Sequence, residues 1–146
     1  MRDIERSTDD RILDILRAID DINADIASVS KDSYLAPESG TIRRSVTWSL
    51  TVIVEAATKI IQDNRGIETS DPDLWQQLFD AKDQRNTMVH EYFKPDPELV
   101  WNEITRLLPS LKDAMQTWQQ ERRIITNQPT PSRAIKDSSK SNGIND

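Results

Sequence analysis

The sequence predicts an all-α protein, an antiparallel up-and-down bundle of four helices. Three observations predict it. Apolar residues recur at helical spacing in four separate segments. No segment shows the strict alternation of a half-buried strand. Short connections rich in Pro, Gly, Ser and Asp join the segments, which favours antiparallel packing of successive helices.

In residues 9–30 the apolar positions are Ile12, Ile15, Ile19, Ile22, Ile26 and Val29, spaced 3,4,3,4,3, the stripe of a bundle helix. Residues 30–40 collect Ser, Lys, Asp, Pro and Gly and read as a loop. The second helix is expected to start at Thr41 as N-cap and to carry Ile42, Val46, Leu50, Ile53, Ala57 and Ile60 inward. Gly66, after Asn64 and Arg65, reads as its stop signal. Ser70, Asp71 and Pro72 open the third helix, which runs through Trp75, Leu78 and Phe79 to about His90. Pro95 interrupts, and Asp96, Pro97 and Glu98 repeat the cap-and-proline start. The fourth helix carries Val100, Trp101, Ile104, Leu107, Leu108, Leu111, Met115 and Trp118, with a kink expected at Pro109. The four tryptophans, Trp48, Trp75, Trp101 and Trp118, read as core or interface. Residues 1–125 thus read as the bundle, and residues 126–146, with almost nothing to bury, as a disordered polar tail.

Composition narrows the chemistry. With no cysteine, disulfides, zinc–thiolate sites and a cysteine nucleophile are excluded. One histidine and scattered carboxylates make no metal constellation, and three glycines make no phosphate-cradling loop. No apolar run suits a membrane span and the first ten residues are too charged for a signal peptide, so a cytoplasmic protein is expected. A net charge of −6 counts against general phosphate-backbone binding. A nucleic-acid role would need a local basic patch, for which Arg43, Arg44, Arg85, Arg106, Arg122 and Arg123 are candidates.

The third helix breaks its own pattern. An apolar line runs Leu74, Leu78, Ala81, Met88, Tyr92, and its missing member is Arg85. The adjacent line through Trp75, Phe79, Val89 and Phe93 turns polar at Lys82 and Asn86. An unpaired buried charge costs several kcal/mol, so such residues need partners or a wet cleft. Local conflicts of this kind tend to mark functional sites. His90, the single histidine, is four residues from Asn86, and Tyr92 is seven from Arg85. Arg85 and His90 are roughly 140° apart around an ideal helix, so they would flank a groove instead of stacking. Taken singly, a histidine near a helix end more often complements the helix dipole, and a mid-helix Arg–Asn pair more often bonds between helices.

The string Arg85, Asn86, Thr87, Met88, Val89, His90, Glu91, Tyr92, Phe93 resembles the signature of the HEPN superfamily, in particular the Arg-Asn-x-x-x-His-x-Tyr motif of HepT-like toxins. The likeness covers about residues 9–115, including the Leu-Pro at Leu108 and Pro109. It implies a HEPN-like bundle forming a two-fold dimer, with a metal-independent RNase site at the dimer cleft. It also implies a cognate minimal nucleotidyltransferase antitoxin that adds AMP to the motif tyrosine. By position, Arg85 and His90 are the catalytic pair, Asn86 a supporting residue and Tyr92 the modified residue, with RNA as substrate and no cofactor. The sequence departs from the family at Glu91 and Val54, positions where the family often has Gly. An alternative is a non-catalytic helical subunit, associated with a nucleotidyltransferase, that binds substrate or nucleotide. A third is a plain helical interaction protein.

The tail reading has a direct check. Truncation after Ile125 is expected to leave the melting temperature and the association state unchanged within error, measured by calorimetry and light scattering. A drop of several degrees would show that the tail packs.

Overall fold

A computed structural model describes the backbone of residues 7–88 and 96–127, and the side chains of residues 7–83 and 96–124. Among the described residues every regular element is helical: α1 (Thr8–Ile26), α2 (Lys31–Leu35), a 3-10 turn (Pro37–Ser39), α3 (Gly40–Asp63), α4 (Ile67–Ser70), α5 (Pro72–Met88) and α6 (Pro97–Asn127). The chain divides into two compact units, residues 1–116 and 117–146. In the first, α3 packs against α1 and also against α5. In the second, the described part is the end of α6, where the Arg122 guanidinium lies 5.3 Å from the centre of the Trp118 ring. No helix among the described residues is long and apolar enough to cross a membrane.

The helix α1 forms where its stripe predicts. Ile12, Ile15, Ile19 and Ile22 are fully buried, and each such side chain contributes about 2 kcal/mol of hydrophobic stabilisation. Its start lies one residue earlier than expected, because Ser7 and Asp10 form a reciprocal capping box. It ends at Ile26, which leaves Val29 in the connection. Across the seam α3 presents Val46, Leu50, Ile53, Ala57 and Ile60, all buried. Two bonds fix the relative direction of these helices. Asn64, after the end of α3, donates to Thr8 at the start of α1 (3.1 Å), and Ser45 near the start of α3 donates to Asp25 near the end of α1 (2.6 Å). The helices are therefore antiparallel. Lys31 pairs with Glu98 (3.2 Å) and Lys112 with Asp20 (3.4 Å), so the part of α6 in the first unit runs back along α1.

Residues 30–40 correct the loop expectation. Ser30 accepts from the Ser33 amide and caps α2, which carries Tyr34 into the core at zero exposure. The Tyr34 ring lies 5.1 Å from that of Trp101. Arg43 donates to the carbonyls of Tyr34 (2.7 Å) and Ala36 (2.6 Å), and the Ala36 carbonyl also accepts from the Ser39 amide of the 3-10 turn (3.0 Å). Thr41 is not the N-cap expected of it. The helix begins at Gly40 after Ser39, with no side-chain cap, and the Thr41 hydroxyl accepts from Arg44 instead. Gly66 does not stop α3 either, since Asn64 occupies the C-cap and Gly66, at φ −60°, leads into α4. Pro109 lies inside α6, which continues past it to Asn127. The expected tail lies outside the described residues except for Thr126 and Asn127, whose backbone is still helical.

Tyr34 makes a prediction. Its hydroxyl is buried without a hydrogen-bond partner, and burial pushes its pKa up to about 12, with nearby Arg43 acting in the opposite direction. The folded state then holds this proton above the unfolded value of 10.0. The associated stability is complete below that pH and is lost as pH rises to the folded value. Tyr34→Phe removes the orphaned group, so stability at neutral pH should hold or rise by about 1 kcal/mol. The fall in melting temperature specific to the window between those two values should disappear. Equal alkaline slopes for wild type and variant would refute the assignment.

Candidate functional site

Helix α5 carries the break in the pattern. Asp71 accepts from the Leu74 amide (3.1 Å) and Pro72 takes the first position, where its missing N–H costs nothing. Leu74, Leu78 and Ala81 are buried at 1 %, 0 % and 0 % exposure and clamp the first turns against the core. After Ala81 the sequence is Lys82, Asp83, Gln84, Arg85, Asn86 and Thr87, with no apolar side chain until Met88. The helical backbone nevertheless continues through Met88. At about 100° per residue, position 85 stays within about 40° of positions 74, 78 and 81. Arg85 thus stands at a register position on the line that buries the helix, and Asn86 on the neighbouring line of half-buried Trp75, Phe79 and Lys82.

Of the expected site residues, Arg85 and Asn86 are brought onto one helical turn at the described end of α5. His90 and Tyr92 lie outside the described residues, as does Glu91. Lys82, where the adjacent line turns polar in the sequence, was not among the candidate basic residues. It is half-buried over the Phe79 ring, 5.2 Å from its centre, and Phe79 packs edge-on against Trp75 at 5.5 Å. Its position three residues before Arg85 puts two cationic residues on adjacent turns, and that spacing is the signal that could have found it.

Of the other basic candidates, Arg43, Arg44, Arg106 and Arg122 have local partners. Arg43 holds the carbonyls of the α2 connection, Arg44 donates to Thr41, and Arg106 is paired with Glu103 one turn before it. Arg122 lies over Trp118. Each of these contacts is local to its own unit. Val54, at a position where a Gly was the resemblance's expectation, is packed at 4 % exposure. Among the described residues of the first unit, the burying line of α5 turns polar in sequence after Ala81.

A family model, Ribonuclease HepT-like, matches residues 15–118. The match begins inside α1, runs through α3 and α5, and takes in Arg85, Asn86, His90 and Tyr92 before ending in α6. Comparison with curated proteins and with solved structures gives no match. A match across most of the chain, spanning both the helices and the motif, shows that the chain belongs to the HepT-like ribonuclease family.

Proposed function

We propose that this protein is a metal-independent RNA endonuclease that acts as the toxin of a toxin–antitoxin pair in the cytoplasm. The observation that carries the reading is the family match extending across the segment from Arg85 to Tyr92. Helix α5 supports it, because it holds the backbone of positions 85 and 86 on a clamped helix whose burying line has turned polar. In this reading a ribose 2′-oxygen attacks the adjacent phosphorus and the bond from phosphorus to the 5′-oxygen breaks. One group takes the 2′-hydroxyl proton and another gives a proton to the departing 5′-oxygen. His90 can do either, since imidazole titrates near neutrality. Arg85 offers a planar fork of donors to the phosphate oxygens as charge develops, and Asn86 supports it. One histidine per chain is short of an acid–base pair, and a two-fold dimer that brings two His90 side chains together supplies the second.

The same reading gives Tyr92 its role. A cognate nucleotidyltransferase would transfer AMP from ATP to the Tyr92 oxygen, with pyrophosphate leaving and the phenolic proton passing to solvent. The new phosphodiester anion, close in sequence to Arg85, would occupy the donors that RNA needs.

Two experiments test these roles. The purified protein should cleave single-stranded RNA in the presence of a chelator. Arg85→Ala and His90→Ala should each lower the rate by at least about a hundredfold with the helical circular-dichroism signal unchanged. Wild-type cleavage by either variant would remove that residue from the chemistry. Loss of helicity in His90→Ala would mark it as structural, and an inactive wild type would favour the non-catalytic binding subunit. For Tyr92, intact mass after incubation with the neighbouring nucleotidyltransferase and ATP should increase by one or more AMP units, and Tyr92→Phe should show no increase. Full inhibition with Tyr92 unmodified would point to occlusion by the partner.

A further inference from the structure

Helix α5 carries a second line of side chains beside the one that buries it. Trp75, Phe79 and Lys82 share that line with Asn86, all within about 60° of one another around an ideal helix. The first three are half-buried, so their line stands at the rim of the core. Trp75 and Phe79 meet edge-on at 5.5 Å, and the Lys82 ammonium lies 5.2 Å from the centre of the Phe79 ring. Packing alone would continue such a line with a third apolar side chain, but position 82 carries a cation. The ring holds Lys82 without neutralising it. Among the described residues no ion pair takes up its ammonium, whereas Lys31, Arg106 and Lys112 each face a carboxylate. The nearest acids in sequence, Asp80 and Asp83, stand about 160° and 100° around the helix from it. Asp80 also accepts from Gln76 (3.0 Å).

Two aromatic rings at the rim, followed within a turn by an unpaired cation, suit a single nucleic-acid strand. A base stacks on a ring and its phosphate meets the ammonium, which has three donors to offer. A duplex keeps its bases inside and gives the rings nothing to stack on. Trp48 supplies the contrast. It is 71 % exposed on α3, but the hollows beside it are bordered by Arg11, Arg17 and Lys59 and equally by Asp14, Asp21 and Glu55. Those intermixed charges leave a polyanion no net attraction. On α5 the line also has a destination. Trp75 to Lys82 covers about 10 Å of helix, and Asn86 follows about 6 Å further on, one turn beyond Lys82. A strand lying along the line therefore reaches the register of Arg85 and Asn86.

We propose that Trp75, Phe79 and Lys82 form a track for single-stranded RNA, with an unpaired base stacked on the exposed part of Trp75 and a neighbouring phosphate at Lys82. The proposal takes its ligand from the reading above, and not the roles given there to Arg85 and His90. The test uses the full-length chain and a single-stranded oligonucleotide of 2′-fluoro riboses, which has no 2′-hydroxyl to attack and stays intact. Lys82→Gln should weaken binding at least about threefold and lower the slope of log affinity against log salt by about 0.7, the share of one phosphate on a single strand. Lys82→Arg should keep both. With one base removed at each position in turn, one position should cost the wild type about tenfold and cost Trp75→Leu little. In the wild-type chain, iodouracil at that position should photocross-link to the peptide holding Trp75 and Phe79, a readout that does not depend on how any variant folds. Failure of the wild type to bind, an unchanged salt slope in Lys82→Gln, or cross-links confined to other peptides overturns the proposal. Cleavage of ordinary RNA is followed in parallel. Binding at the track without cleavage keeps the track and removes the catalysis, while cleavage by a chain that fails these binding tests does the reverse.

Discussion

The first unit depends on the phase of one apolar seam, where the isoleucines of α1 meet the inner line of α3. The two hydrogen bonds at its ends are worth about 1 kcal/mol each, far less than the side chains buried between them. Phase, then, sets the register, and the bonds record it. A one-residue slip would turn either stripe by about 100° and bring charged neighbours such as Arg17 or Glu55 toward the core. With that seam fixed, α3 has one side committed to α1 and another to α5. Thr58 shows how tightly α3 is committed. It is buried at 7 % exposure, and its hydroxyl has to be satisfied within the helix by donating to the Val54 carbonyl at 2.8 Å.

The consequence for α5 is a division of labour along one helix. Leu74, Leu78 and Ala81 fix its direction by packing, and the polar run after Ala81 adds almost no hydrophobic stabilisation. Lys, Gln and Arg are good helix formers, so the backbone can extend to Met88 without that help. A sequence under selection for stability alone would have continued the apolar line through position 85. Polar residues there are explained if chemistry needs them, and the match to the HepT-like family covers this stretch.

The helices were legible because stripes such as Ile12, Ile15, Ile19 and Ile22 state both period and buried face. What escaped was set by contacts between distant segments. Nothing within residues 30–40 reveals that the Tyr34 ring packs at a tilt against Trp101, sixty-seven residues away, and without that contact a five-residue helix has little reason to form. Arg43 looked like part of a basic patch because sequence shows charge but not the carbonyls that charge must satisfy. Gly66 fits either a stop or a start, and only the local backbone decides between them. Trp48 escaped for the opposite reason, since hydrophobicity alone says that a tryptophan wants to be covered and not by what. The candidate site shows in the sequence as a conflict at Arg85 and Asn86, while His90 and Tyr92 lie outside the described residues.

An acidic chain that is to handle RNA faces an electrostatic constraint of its own. At −6 overall, with Asp14, Asp20, Asp21 and Asp25 all on α1, its long-range field repels a polyanion. Arg43, Arg44 and Arg106 are held in local contacts and do little to offset it. Both α1 and α5 pack against α3, and at physiological salt exposed charges more than about 8 Å apart are largely screened from one another. On the proposed reading, binding at the α5 end rests on a few short-range contacts from residues such as Lys82 and Arg85. Few phosphate contacts mean a shallow dependence on salt and weak binding to duplex, which offers a regular array of phosphates and hides its bases. On that reading such a site gains most from single-stranded RNA, whose flexible backbone can bring one phosphate to the guanidinium without the charge array that a duplex demands.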